Sequence, residues 1–144
     1  QVDQTETSTT LEIQLLNASK KDLVRDLKSS SEFDQSALFK KIYEEEYGTF
    51  GGAPFGMLLG DYEFNRNPED MYLLEEISHV AAAAHAPFIS AASPELFGWD
   101  SFIDMAGPRD LAKIFDTVEY AKWKSFRASE DSRYVGLTLP HVLG

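Results

Sequence analysis

Three groups of residues have types and spacings that chemistry could use. The first is the run from Tyr43 to Phe64, which holds five of the nine glycines: Gly48, Gly51, Gly52, Gly56 and Gly60. A glycine-rich turn between regular elements can cradle a phosphate, or it can let one backbone press closely on another. A phosphate loop ends in Gly-Lys-Ser/Thr, after a strand and before a helix. Here no lysine lies between Gly48 and Gly56, and the turn precedes a strand-like run. A tight turn with close backbone packing is therefore the preferred reading. The second group is acidic: Glu44, Glu45, Glu46, Asp61 and Glu63 flank the same run. Two carboxylates held across a cleft can do acid–base work, but acids are abundant in this chain and none of these is set apart. The third group is His79, His85 and His141. His79 and His85 lie six residues apart on one predicted helix, about 600° of rotation at about 100° per residue, so they fall on different faces. With no cysteine in the chain, a zinc site from these residues is disfavoured and structural histidines are expected. No Gly-x-Ser-x-Gly elbow marks a serine nucleophile. Catalytic, cofactor-binding and metal-ligating residues are all assigned as none, and no cofactor is expected. The alternative function is a small acidic α/β enzyme, or a nucleotide- or sugar-binding module, built on the Gly48 to Gly60 turn.

Composition narrows the partners. Lysine plus arginine number 13 and aspartate plus glutamate 24, a net charge of −11. Such a surface repels nucleic acid and anionic membranes, and neither is expected as a partner. The longest apolar run, near Val80 to Ala86, is alanine-rich and interrupted by His85, too short to span a bilayer. The absence of cysteine rules out a disulfide framework and suits a cytoplasmic protein. The length of 144 residues allows one domain with a real core. We expect a flexible N-terminus over residues 1–10 and a single α/β domain over 11–144. The chain has no initiator methionine and ends just after a strand-like run, so a piece of something longer is expected.

The elements that must position these groups follow from periodicity. Residues 11–17 alternate apolar and polar, the pattern of a half-buried strand. Ser19 with Asp22 resembles a capping box opening a helix whose apolar face is Leu23, Val24 and Leu27. A second helix is placed from Asp34, with Phe33 and Leu38 as a hydrophobic staple and Phe39 and Tyr43 paired on one side. After the glycine turn, a buried strand is expected from Phe55, running out through Phe64. Asn67-Pro68-Glu69-Asp70 is a strong helix start, and Leu73, Ile77, Val80, Ala81 and Ala84 repeat at helical spacing up to Pro87. Residues 88–92 read as a short buried strand and 93–105 as an aromatic-rich connection. A short helix follows with Leu111, Ile114 and Phe115, then one from Thr117 with Tyr120, Trp123 and Phe126. Its cations Lys122, Lys124 and Arg127 are diluted by acids, so it reads as a packing or interface element. A last strand covers 134–139. Strands alternating with helices predict an α/β fold with a mainly parallel sheet of about four strands flanked by helices.

Several stretches, in order, resemble the large subunit of the type VI secretion contractile sheath. They are Glu45-Glu-Tyr-Gly-Thr-Phe-Gly-Gly-Ala-Pro-Phe-Gly56, Gly60-Asp-Tyr-Glu-Phe64, Ala84-His-Ala-Pro-Phe-Ile-Ser90, Pro94-Glu-Leu-Phe-Gly98 and the whole run from Trp123 to Pro140. The resemblance covers essentially residues 10–144. It implies a non-enzymatic structural protein of the Gram-negative cytoplasm. It also implies pairing with a small sheath subunit, helical assembly with further sheath subunits, an inner tube protein inside, and a AAA+ ATPase that disassembles the contracted sheath. The fold it implies is an incomplete piece of a phage-tail-sheath-like α/β core.

Overall fold

A computed structural model describes residues 12–44 and 50–140. Three strands form one parallel sheet in the order β1-β2-β3: β1 is Leu58–Phe64, β2 Phe88–Ala92 and β3 Val135–Thr138. The α/β class and the parallel sheet hold, but among the described residues the sheet has three strands where about four were expected. The missing strand is the one placed at residues 11–17. Of these, 12–17 carry no strand, and Leu15 is 94% exposed. Alternation makes a segment fit for a sheet, but a strand exists only where a neighbouring ladder accepts it. The strand expected from Phe55 starts later, at Leu58.

Helix α1 (Lys20–Ser29) starts as the capping box requires: the Ser19 Oγ accepts from the Asp22 backbone N–H, and the Asp22 carboxylate accepts from the Ser19 N–H at 3.0 Å. Leu23, Val24 and Leu27 are its buried face. The second helix does not begin at Asp34. Phe33–Gln35 is a 3₁₀ turn, and Ser36 caps the short helix α2 (Ala37–Phe39), which widens into a π turn over Lys40–Glu44. Ser36 wins because its hydroxyl reaches the Phe39 N–H at 3.1 Å. The Asp26 carboxylate of α1 also accepts from the Ala37 and Leu38 N–H groups, each at 2.9 Å. The Phe39–Tyr43 pair stacks as expected, with centroids 4.9 Å apart.

Helix α3 (Pro68–Ala84) is the crossover from β1 to β2, capped by Asn67 with Pro68 at its first position. It ends on His85 in the left-handed conformation, φ 52°, two residues before Pro87. The crossover from β2 to β3 contains 3₁₀ turns over Pro94–Phe97, Phe102–Ala106, Leu111–Asp116 and Val118–Tyr120, then helix α4 (Ala121–Ala128) and a last 3₁₀ turn, Glu130–Tyr134. The short helices expected after Gly107 and from Thr117 are thus 3₁₀ turns, with regular helix only from Ala121.

One face of the sheet carries the core. Phe64, Phe88 and Val135 pack with Leu23, Val24 and Leu27 of α1, with Met71, Leu73, Leu74, Ile77 and Ala81 of α3, and with Phe126 of α4. A satellite cluster gathers Ala92, Leu96 and Phe97 against Phe102, Phe115 and Trp123.

The β1–β2 register slips in mid-strand. Leu59 pairs with Ile89, but Glu63 pairs with Ala91, so three residues of β1 face Ser90 alone. Ser90 is buried, and its hydroxyl lies 2.7 Å from the Gly60 carbonyl and 2.8 Å from that of Tyr62, so it bridges the backbone within the slipped stretch. Close packing belongs to Gly60. A Cβ there would sit 2.5 Å from Cζ of Phe88, whose ring is wedged edge-on against Phe64. Gly60→Ala is therefore expected to destabilise the fold by about 1–3 kcal/mol, as overpacking does, read as a fall in the urea midpoint. A midpoint equal to the parent's would show that the ring has room to move.

Candidate functional site

The described part of the glycine run does not build a cradle. Gly51 adopts φ 82°, which explains a glycine there, yet a Cβ at Gly51 or Gly56 would meet nothing within 4 Å. Phe50 is fully exposed. The close-packing reading is thus right for Gly60 and wrong for Gly51 and Gly56, where a turn in open space needs the residue or tolerates it. Gly48, Glu45, Glu46 and His141 lie outside the described residues. Of the acids, Asp61 and Glu63 stand on the exposed face of β1, and Glu44 ends the π turn after α2. Among the described residues no group of three or more His, Asp or Glu could hold a metal ion.

His79 and His85 separate as the spacing predicts. His79 Nδ1 lies 2.8 Å from the Asp131 carboxylate, fastening α3 to the turn before β3, while His85 is exposed at the α3 terminus. Phe33 packs beside the His79 ring at 5.5 Å. One turn earlier on α3, burial pushes the Glu76 carboxyl above its usual range, with His79 pulling it down and Glu75 and Glu32 pushing it further up. This neighbourhood is a structural clasp between the Phe33–Gln35 turn, α3 and the last 3₁₀ turn.

An open crevice lies where β1 and β2 end, between the start of α1 and the Pro94–Phe97 turn. It is lined by Lys20, Tyr62, Asn65, Ser93 and Glu95 among others. Carboxyl ends of parallel strands are where α/β sheets bind ligands. Here, however, one of the two lysines that line the crevice, Lys20, is engaged inside the fold. Lys20 Nζ donates to both Asp70 carboxylate oxygens at 3.0 Å and to the Glu63 carbonyl at 2.6 Å, and it sits 5.2 Å above the Phe64 ring. Asp70 also accepts from the Asn65 N–H at 2.9 Å. The buried Ser93 Oγ has no hydrogen-bond partner. Two of the three cations of α4 are likewise committed within the chain. Arg127 donates to the Ser132 and Val135 carbonyls and lies 5.9 Å from the Trp123 ring, and Lys124 pairs with Asp116 at 3.4 Å. Trp123 and Phe126 point into the two clusters, so α4 packs as the amphipathic pattern predicts.

What the molecule does present is surface. The side of the sheet away from the helices carries Leu59, 75% exposed, in register with Ile89 and Gly136. Beside it lie Asp61 and Glu63 of β1, Ala91 and Thr138. No helix of the described residues is long and apolar enough to cross a membrane.

Similarity to known proteins supplies the family. The family model for VipB, described as EvpB/VC_A0108, tail sheath N-terminal domain, matches residues 1–144. The chain belongs to this tail sheath family. It is 55% identical over 144 residues to the type VI secretion system sheath protein TssC1 of Pseudomonas aeruginosa strain PAO1, a match covering 99% of this chain and 29% of that relative. The chain thus spans less than a third of the length of that relative. The resemblance read from the ordered motifs holds. In this sheath domain the Gly60 to Phe64 motif is strand β1 with its slip, the Ala84 to Ser90 motif is the end of α3 and the start of β2, and the Trp123 to Pro140 motif is α4 and β3. The roles of Asp70 and Ser90 were missed in the sequence. Asp70 had one local signal, its place three residues after the Asn67 cap. Ser90 had none, because the carbonyls it meets are 28 and 30 residues away.

Proposed function

We propose that this chain is part of the large sheath subunit of a type VI secretion system, a structural component and not a catalyst. In the whole protein it pairs with a small sheath subunit. The heterodimers stack with further sheath subunits into a cytoplasmic tube around an inner tube protein, and the tube contracts to drive that inner tube outward. A AAA+ ATPase then takes the contracted sheath apart. The single observation that carries this reading is the identity of 55% to a sheath protein over the full 144 residues. The fold is compatible with it: Lys20 with Asp70 fastens α1 to α3, and His79 with Asp131 fastens α3 to the turn before β3, as a part that must stay rigid while its neighbours move requires. The α/β unit expected over 11–144 is proposed as a portion of a phage-tail-sheath-like core; the stretch over 1–10, expected to be flexible, lies outside the described residues.

The test is assembly. The full-length polypeptide containing these residues, co-expressed with its small partner, is expected to give tubes visible by electron microscopy. Abundant, folded heterodimers that never form tubes under any assembly condition would refute the sheath reading.

A further inference from the structure

We propose that the face of the sheet on which no helix of the described residues packs is an internal docking surface, covered in the whole protein by an amphipathic helix from the same polypeptide outside residues 1–144. The observation is an asymmetry. Parallel sheets are buried on both faces, because crossover helices normally cover both. Here α1, α3 and α4 all pack on one face, against Phe64, Phe88 and Val135. The opposite face has an uncharged row across all three strands, Leu59 beside Ile89 beside Gly136. Gly136 gives this row a shape. A Cβ there would lie 3.0 Å from Cδ1 of Ile89, so the Ile89 side chain reaches over the glycine and leaves a low, smooth apolar floor. Leu59 stands 75% exposed at its edge, and Met57, just before the strand, is 54% exposed. Asp61 and Glu63 follow on the same face of β1.

A long apolar stripe with acids at one end fits a helix carrying an apolar face and basic residues toward that end. The occupant is assigned to the same polypeptide because more than two thirds of the sheath relative lies outside the match. A covalently joined segment competes for the face at an effective concentration that a second copy cannot reach at ordinary protein concentrations. The inference shares with the proposed function only the premise of a longer polypeptide. Coverage of the face and formation of tubes are read by different experiments.

The experiment uses the unassembled full-length polypeptide with any native cysteines outside these residues replaced by serine; residues 1–144 contain none. Leu59→Cys and Ile89→Cys are made separately, and the rate of thiol labelling is compared with the same variant unfolded in denaturant. Both thiols are expected to react about 100-fold more slowly in the folded, unassembled protein, as a buried site opened only by local fluctuation does. The protection should not change with protein concentration. Hydrogen exchange of the β2 amides verifies folding, and Asp61→Cys on the same face replaces Leu59→Cys if that variant does not fold. Fast labelling of the unassembled protein overturns the proposal. So does protection that grows with protein concentration, which would mark a second copy as the occupant. Protection that appears only in assembled sheaths would assign the face to a neighbouring subunit and also overturn it.

Discussion

Asp70→Ala is expected to lower the stability of the fold by about 3 kcal/mol, at the lower end of what breaking a buried ion pair costs. Asp70 is 4% exposed, and its carboxylate accepts three hydrogen bonds from two donors: Lys20 Nζ on both oxygens at 3.0 Å and the Asn65 N–H at 2.9 Å. Alanine leaves the lysine with the Glu63 carbonyl and the Phe64 ring, and strands the Asn65 amide. The loss stays at the lower end because the Lys20 side chain is 32% exposed and can turn to water. Three elements loosen together: Lys20 opens α1, Asp70 opens α3, and Glu63 and Asn65 end β1. Urea unfolding of Asp70→Ala, Lys20→Met and the double variant checks the cause as well as the size. The two changes should be strongly non-additive, with a coupling of at least about 1 kcal/mol. Additive losses would show that the two side chains act separately and that the clasp is not a unit.

Phe64→Ala is expected to cost about 3–5 kcal/mol, as removal of a fully buried phenyl ring does. Phe64 is 0% exposed. Its ring meets Phe88 edge-on at 6.2 Å and Tyr62 edge-on at 6.4 Å, and the Lys20 ammonium lies over it. Alanine removes the ring, leaves a cavity between β1 and α1, and takes away the aromatic surface on which the lysine rests. Phe64→Leu keeps most of the volume and should cost much less. Thermal and urea denaturation of the pair should rank parent, leucine, alanine in falling stability. A loss below about 1 kcal/mol for alanine would mean that the site collapses freely, which the packing of both neighbouring rings does not allow.

What the sequence disclosed depended on how far apart the cooperating residues lie. The start of α1 was legible because Ser19 and Asp22 are three residues apart. The start of α3 was legible because Asn67 and Pro68 are adjacent. Strand β2 was placed correctly because its apolar residues are bounded by Pro87 and Ser93. Residues 11–17 misled because alternation records only what the segment could bury, and the described part of it has no ladder. Ser36 displaced Asp34 as the α2 cap because a distant carboxylate, Asp26, supports the helix from there. Of the chemistry-bearing residues, His79 is engaged by Asp131, as the structural reading of the histidines expects. The clasp itself was invisible, since Lys20 and Asp70 are separated by 50 positions. The glycine run was the most diagnostic stretch for the family, yet of Gly51, Gly56 and Gly60 only Gly60 is pressed against a neighbour.

The slip between β1 and β2 has a consequence in counting. The pairing offset moves from Leu59 with Ile89 to Glu63 with Ala91, a change of two residues. Strand side chains change sides at every residue, so an even slip preserves sidedness and an odd one inverts it. Because this slip is even, Phe64 lands on the same side as Leu58 and reaches the core. A single residue added or removed between Leu59 and Glu63 would put Phe64 in solvent and a carboxylate among the buried rings. This short stretch therefore behaves like a reading frame with a period of two. Its length can change only in pairs without turning the strand inside out.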